Sequence, residues 1–286
     1  MSDIRIHVDP TNPGQFFACC GLLELAHKIY PEATAAFVHE SGAFSFDLRL
    51  PNSHDPHSLI IDLIKCDVIS TLTEEQLERL RKFLNKNKKT FTELEAIEKQ
   101  KLKALWDRER LRIGQPYNFW IDWWNDEFAG GSNFKTWAGK QFAIDILRGV
   151  QQGLRACYKE AEIKSLMNLS VSDGALPFYF NSDIGGHSAS LDVGYSLDAL
   201  EIRADTKPAI EFLSFIGLQR FRPNRSRDRK TFAYHLWTEH LPPMLAAATA
   251  CGALVSEHLY CFEFRLLFRT KYLKAFLPAK PQPIQP

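Results

Sequence analysis

The segment from Phe16 to Tyr30 constrains this chain most. Phe16, Phe17, Cys20, Leu23, Leu25, Ala26 and Tyr30 spread so far around a helix that the spacing predicts deep burial. A helix apolar on most sides needs other layers around it. Before it, Ile4, Ile6 and Val8 alternate with polar residues and predict a half-buried strand. The turn Asp9-Pro10-Thr11-Asn12-Pro13-Gly14 ends that strand. It also offers Asn12 as a cap and Pro13 at the first helical position. Pro31 closes the helix. Phe37 to His39 and Phe44 to Leu50 predict two strands joined at Ser41-Gly42. The first fifty residues therefore read as a β-α-β-β unit, and the fold class as α+β.

Composition shifts after Pro51. From Ser58 to about Arg112 the apolar spacing is helical, with Thr73 and Thr92 placed to start two helices. We read 52–113 as a helical insertion on a body formed by 1–51 and 114–277. A helix is expected from about Gly139 to Cys157. Strand signals return at Phe178-Tyr179-Phe180 and at Leu191 to Tyr195, and helices are expected over Ala209 to Leu218 and Leu241 to Val255. Tyr260 to Phe268 alternates over a long strand, one face aromatic and the other partly charged. The last nine residues, 278–286, hold four prolines and predict a disordered tail.

Several classes are excluded or disfavoured. No run of about 18 apolar residues exists, so no membrane span is expected. Met1-Ser2-Asp3 lacks the basic start of a secretory leader, which makes the expected location cytoplasmic. Six cysteines without a CxxC pair predict reduced thiols rather than zinc or disulfides. We expect no metal, no cofactor and no catalytic residue. The strongest alternative is a metal-dependent nuclease using Asp183, His187 and Asp192 beside Gly185-Gly186, although turn chemistry is the favoured explanation of those residues. His54-Asp55-Pro56-His57 sets two imidazoles three apart, but the proline works against a shared metal and no further ligand is placed by sequence; His235 and His240, five apart, lack the spacing of a helical zinc pair.

Charge is the more telling signal. Thirty-five Lys and Arg against 34 Asp and Glu leave a net charge of +1. Yet Arg220, Arg222, Arg225, Arg227, Arg229 and Lys230 crowd into eleven residues with one acid, Asp228. Pro223 and Asn224 argue for a loop or hairpin tip there. Guanidinium forks on such a tip suit phosphate oxygens; Phe221 is expected to be buried rather than stacked on a base. A second patch, Lys82, Lys86, Lys88 and Lys89, ends one helix, where cations are favourable on electrostatic grounds alone. The aromatic run Tyr117, Phe119, Trp120, Trp123, Trp124, Phe128, Phe134 and Trp137 could stack single strands, but core or subunit contact is the expected use.

Four blocks carry a resemblance. They are Val8 to Ala26; Ile121-Asp122-Trp123-Trp124 with Trp137 to Gln141; Leu191 to Ser196; and Glu211-Phe212-Leu213 with Ile216 to Pro223. Together they resemble the CRISPR-associated Csb-type large-subunit family of type I-G (formerly I-U) effector complexes. The resemblance implies a non-catalytic subunit of a crRNA-guided surveillance complex. Its partners would be crRNA, target DNA, other complex subunits and the helicase-nuclease. It would help recognise the target-adjacent motif, while guide pairing reads the target sequence. A purely protein-contacting subunit is the blander alternative.

Overall fold

The computed structural model describes residues 2–51, 55–86, 91–125, 134–137, 140–172, 176–183, 205–226, 231–254, 260–268 and 274–283. The opening unit forms as expected. Strands β1 (Ser2–Val8), β2 (Thr34–Glu40) and β3 (Ala43–Leu50) make an antiparallel sheet ordered β1-β3-β2. Ser41 and Gly42, both at positive φ (52° and 81°), turn the β2–β3 hairpin as a two-residue loop requires. Helix α1 (Pro13–Ile29) starts where Asn12 Oδ1 accepts the Gly14 N–H at 3.0 Å. Every residue from Pro13 to Ala26 is buried. Phe16 stacks on Tyr234 at 4.2 Å and also meets Phe37, so α1 lies between the first sheet and a second one.

The buried partner of α1 is α6 (Pro208–Gly217), itself buried from end to end. Gly21 and Gly217 meet at the crossing. A Cβ on Gly21 would lie 2.0 Å from the Leu213 carbonyl oxygen, and one on Gly217 would lie 2.2 Å from that of Phe17. Only hydrogen at both positions lets the two backbones approach this closely.

The segment 52–113 holds α2 (Pro56–Lys65), α3 (Glu74–Asn85) and α4 (Glu93–Trp106), and also two strands. Thr73 and Thr92 each close a capping box at α3 and α4. Strands β4 (Val68–Ser70) and β5 (Leu111–Ile113) pair with β6 (Phe119–Ile121) in an antiparallel sheet. Leu59, Ile60 and Leu63 of α2 belong to the same core as α1, and α2 packs on α5 (Ala143–Cys157). The segment is thus tied into the body at its base, and the α3–α4 hairpin extends from there.

One expected strand is absent. Phe178-Tyr179-Phe180 is irregular, with Tyr179 at φ 66°. The Phe180 and Asn181 N–H groups donate to the Glu211 carboxylate at 3.3 and 3.0 Å instead of to a ladder. A buried side chain has replaced the neighbouring strand as acceptor. Leu191 to Tyr195 lies outside the described residues.

The second sheet runs β10 (Lys274–Phe276), β9 (Tyr260–Phe268), β8 (Thr231–Leu236), β7 (Asn224–Arg225). The long strand expected at Tyr260 is β9. Phe262, Phe264, Phe232 and Tyr234 face the core. Helix α7 (Pro243–Ala250) follows β8. The tail departs from expectation at its start: β11 (Lys280–Gln282) pairs with β9, and the Ala279 N–H reaches the Thr11 carbonyl. Proline is tolerated there because β11 is an edge strand. No helix among the described residues is long and apolar enough to cross a membrane.

Candidate nucleic-acid interface

The arginine-rich segment divides into three parts. At its start, Gly217 ends α6 and the chain turns through Leu218 to Arg220. This turn brings Arg220 back over α1, where its Nε donates to the buried Glu24 carboxylate. Its side chain stays partly exposed, but the ion pair with Glu24 offsets its charge and makes it a poorer phosphate ligand than an unpaired arginine. Phe221 is fully buried and stacks on Trp237 at 5.8 Å, as expected. Arg222 and Arg225 are exposed as well.

Next, Asn224 and Arg225 pair with Ala233 and Phe232 as a short outer strand. The Ser226 N–H donates to the Thr231 carbonyl at 2.9 Å, which closes the hairpin base. Arg227, Arg229 and Lys230 fall between these two residues in sequence and lie outside the described residues. A further cation, missed in the sequence reading, joins from β9. Arg265 is exposed, sits opposite Thr231 in register, and donates from Nε to Thr231 Oγ1 at 3.3 Å. The alternation along Tyr260 to Phe268 puts Arg265 on the outward face, but its β8 neighbour cannot be read from sequence.

In the lysine patch, Lys86 is engaged. Lys86 Nζ lies 2.8 Å from both Glu95 carboxylate oxygens and 5.4 Å from the Phe91 ring centroid. That contact, with the Thr92 N–H, holds the Glu95 carboxyl below its ordinary range. Lys86 thus ties α3 to α4. Lys88 and Lys89 lie outside the described residues.

The aromatic run is chiefly core. Trp123, Trp124 and Trp137 pack edge to face, and Trp123 Nε1 donates to the Phe215 carbonyl at 3.0 Å. Trp120 is the exception. It is 39% exposed, with Arg110 and Arg112 guanidinium carbons 5.3 and 5.9 Å from its ring centroid.

The nuclease set is not assembled among the described residues. The Asp183 carboxylate receives Lys207 at 2.8 Å, and His187 and Asp192 lie outside them. No group of three His, Cys, Asp or Glu among the described residues could hold a metal ion. Asp55 caps α2, His57 meets the Tyr158 hydroxyl at 2.9 Å, and His54 is outside the described residues. His235 packs against Gly252, and His240 lies 3.6 Å from Asp47. All six cysteines are free thiols; burial pushes the Cys19 and Cys20 thiols well above their ordinary range, which makes them unreactive.

Around Asn12, the cap of α1, lies a buried polar network. Asn12 Nδ2 donates to Asn181 Oδ1 at 2.6 Å, and the Ser182 N–H donates to Asn12 Oδ1 at 3.2 Å. Glu211 lies at its centre, fully buried. Loss of hydration pushes its carboxyl up to about 7, against the pull of the backbone N–H donors. This network locks the start of α1 to α6.

No protein-family model, curated protein or solved structure matches the chain.

Proposed function

We propose that this protein is a non-catalytic subunit of a crRNA-guided type I surveillance complex in the cytoplasm. In this reading it holds guide RNA or target DNA through phosphates at the β7–β8 hairpin. It also assists recognition of the target-adjacent motif and docking of the helicase-nuclease. One observation carries the binding class: exposed Arg222, Arg225 and Arg265 surround a hairpin whose remaining sequence supplies Arg227, Arg229 and Lys230. This concentration stands out in a chain of net charge +1. The four sequence blocks described above supply the CRISPR part of the proposal.

Changing Arg225, Arg227 and Arg229 together to Ala tests it. Each lost phosphate contact should flatten the salt dependence of DNA or RNA affinity by about one unit of log–log slope. An unchanged slope in the assembled complex would sink the hairpin assignment. Co-purification with a crRNA and its backbone protein tests the family reading, and isolation without either argues against it.

A further inference from the structure

Helix α4 carries apolar side chains on two opposite faces. Leu102 is 8% exposed and joins the core on the α3 side. On that side Glu95 and Glu98 pair with Lys86 and Arg79, and Lys99 lies 4.4 Å from the Phe91 ring centroid. The other face holds Leu94, Ile97 and Leu105, which are 80%, 46% and 49% exposed. With the exposed Ala104 they follow steps of three and four residues, so they form one stripe along the helix rather than scattered apolar positions. Lys101 stands at its centre. Trp106 stacks on Phe142 at 4.8 Å and anchors the base of the helix to the body, so the stripe runs out along the hairpin.

The inward charges of α4 are engaged within the hairpin, and the outward ones are not. Glu93, Lys101 and Lys103 are exposed and have no partner among the described residues. Glu93 opens the helix, and the two lysines lie in its second half. A second helix of the same sequence laid antiparallel brings each free Glu93 toward the other's free lysines. A parallel one stacks Lys101 on Lys101 inside the apolar stripe, where like charges repel most. Antiparallel packing also sets Leu94 against Ala104 and Leu105 of the second copy, and Ile97 against the methylene stem of Lys101.

We propose that the outer face of α4 is a self-association surface, pairing two copies of this chain through an antiparallel, two-fold helix contact. Each copy gives its acidic end to the other's basic half, and the two stripes cover one another. A helix of 14 residues is about 21 Å long. One helix pair of that length falls short of the area of a permanent dimer, so the contact is weak and depends on concentration. It stands independently of the nucleic-acid reading.

Sedimentation equilibrium of the full chain across the micromolar range tests it. We expect a monomer–dimer equilibrium that weakens as salt is raised, because the complementary charges are exposed. Leu94→Asp and Ile97→Asp should each weaken dimerisation roughly tenfold or more. Far-UV circular dichroism should stay unchanged, since both side chains lie outside the core. Lys101→Glu should also weaken the dimer, by setting an acid beside the other copy's acidic end. A monomer at every concentration overturns the proposal. So does a dimer that both aspartate variants form as readily as the wild type, which places the contact elsewhere. A dimer that tightens with salt, or that Lys101→Glu leaves unchanged or tightens, refutes the antiparallel arrangement.

Discussion

Gly21→Ala is the sharpest test of how this fold is held. In an ordinary helix interior the change would stabilise by about 1 kcal/mol, because Ala loses less backbone freedom than Gly. Here the new methyl would sit 2.0 Å from the Leu213 carbonyl oxygen and 3.1 Å from the Gly217 nitrogen. Both are backbone atoms of a buried helix and cannot rotate away. To reach ordinary contact, α1 and α6 must part by roughly 1.4 Å at the crossing, enough to forfeit about half of each facing dispersion contact. Against the propensity gain, we expect a net loss of about 3–5 kcal/mol. With a urea slope of about 3 kcal/mol per molar, the midpoint should fall by 1 M or more. Two controls fix the interpretation. Gly153→Ala in α5 makes ordinary contacts with the side chains of Pro208, at 3.4 Å, and Val171, at 3.9 Å, so it should be neutral or stabilising. Gly42→Ala meets nothing within 4 Å but has φ +81°, so it should lose about 1 kcal/mol through strain alone. If Gly21→Ala costs no more than Gly42→Ala, the close-approach argument is wrong.

Other expectations follow from single contacts. The Glu211 carboxyl is raised to about 7 by burial, so the native state keeps a proton that the unfolded state releases above about pH 4.5. Stability should therefore fall by about 3 kcal/mol as pH rises from 4.5 to 7 and level off above; Glu211→Gln should remove this slope in pH-resolved urea titrations. Arg220→Ala strands the Glu24 carboxylate, 8% exposed, and should cost about 1–2 kcal/mol, while Arg222→Ala should leave the midpoint unchanged. Thr92→Ala opens a capping box and should cost about 1 kcal/mol, read by thermal melting.

Local signals were legible in the sequence. The Asn12-Pro13 start, the Ser41-Gly42 turn, the Thr73 and Thr92 caps and the β9 alternation each depend on residues within a few positions of one another. What depends on distant partners was not. Phe178 to Phe180 has the composition of a strand, but Glu211, thirty residues on, takes its N–H groups. Arg220 reads as one cation among six until Glu24, 196 residues earlier, claims it. In the same way, β4 and β5 are three-residue strands that exist only because they pair with each other and with β6. For the candidate site, the sequence supplied the cluster, and the fold sorted it into an arginine paired with Glu24, the exposed Arg222 and Arg225, and the added Arg265.

The glycine crossing also has a consequence in time. Helix α1 leaves the ribosome well before its buried partner α6, which ends at Gly217, ~190 residues later. At roughly 5–20 residues per second, α1 waits about 10–40 s before the surface shaped to receive it exists. Through that interval Phe16, Phe17, Leu22, Leu23 and Leu25 have at most the first sheet to cover them. Those side chains stay without their second layer until the second glycine arrives.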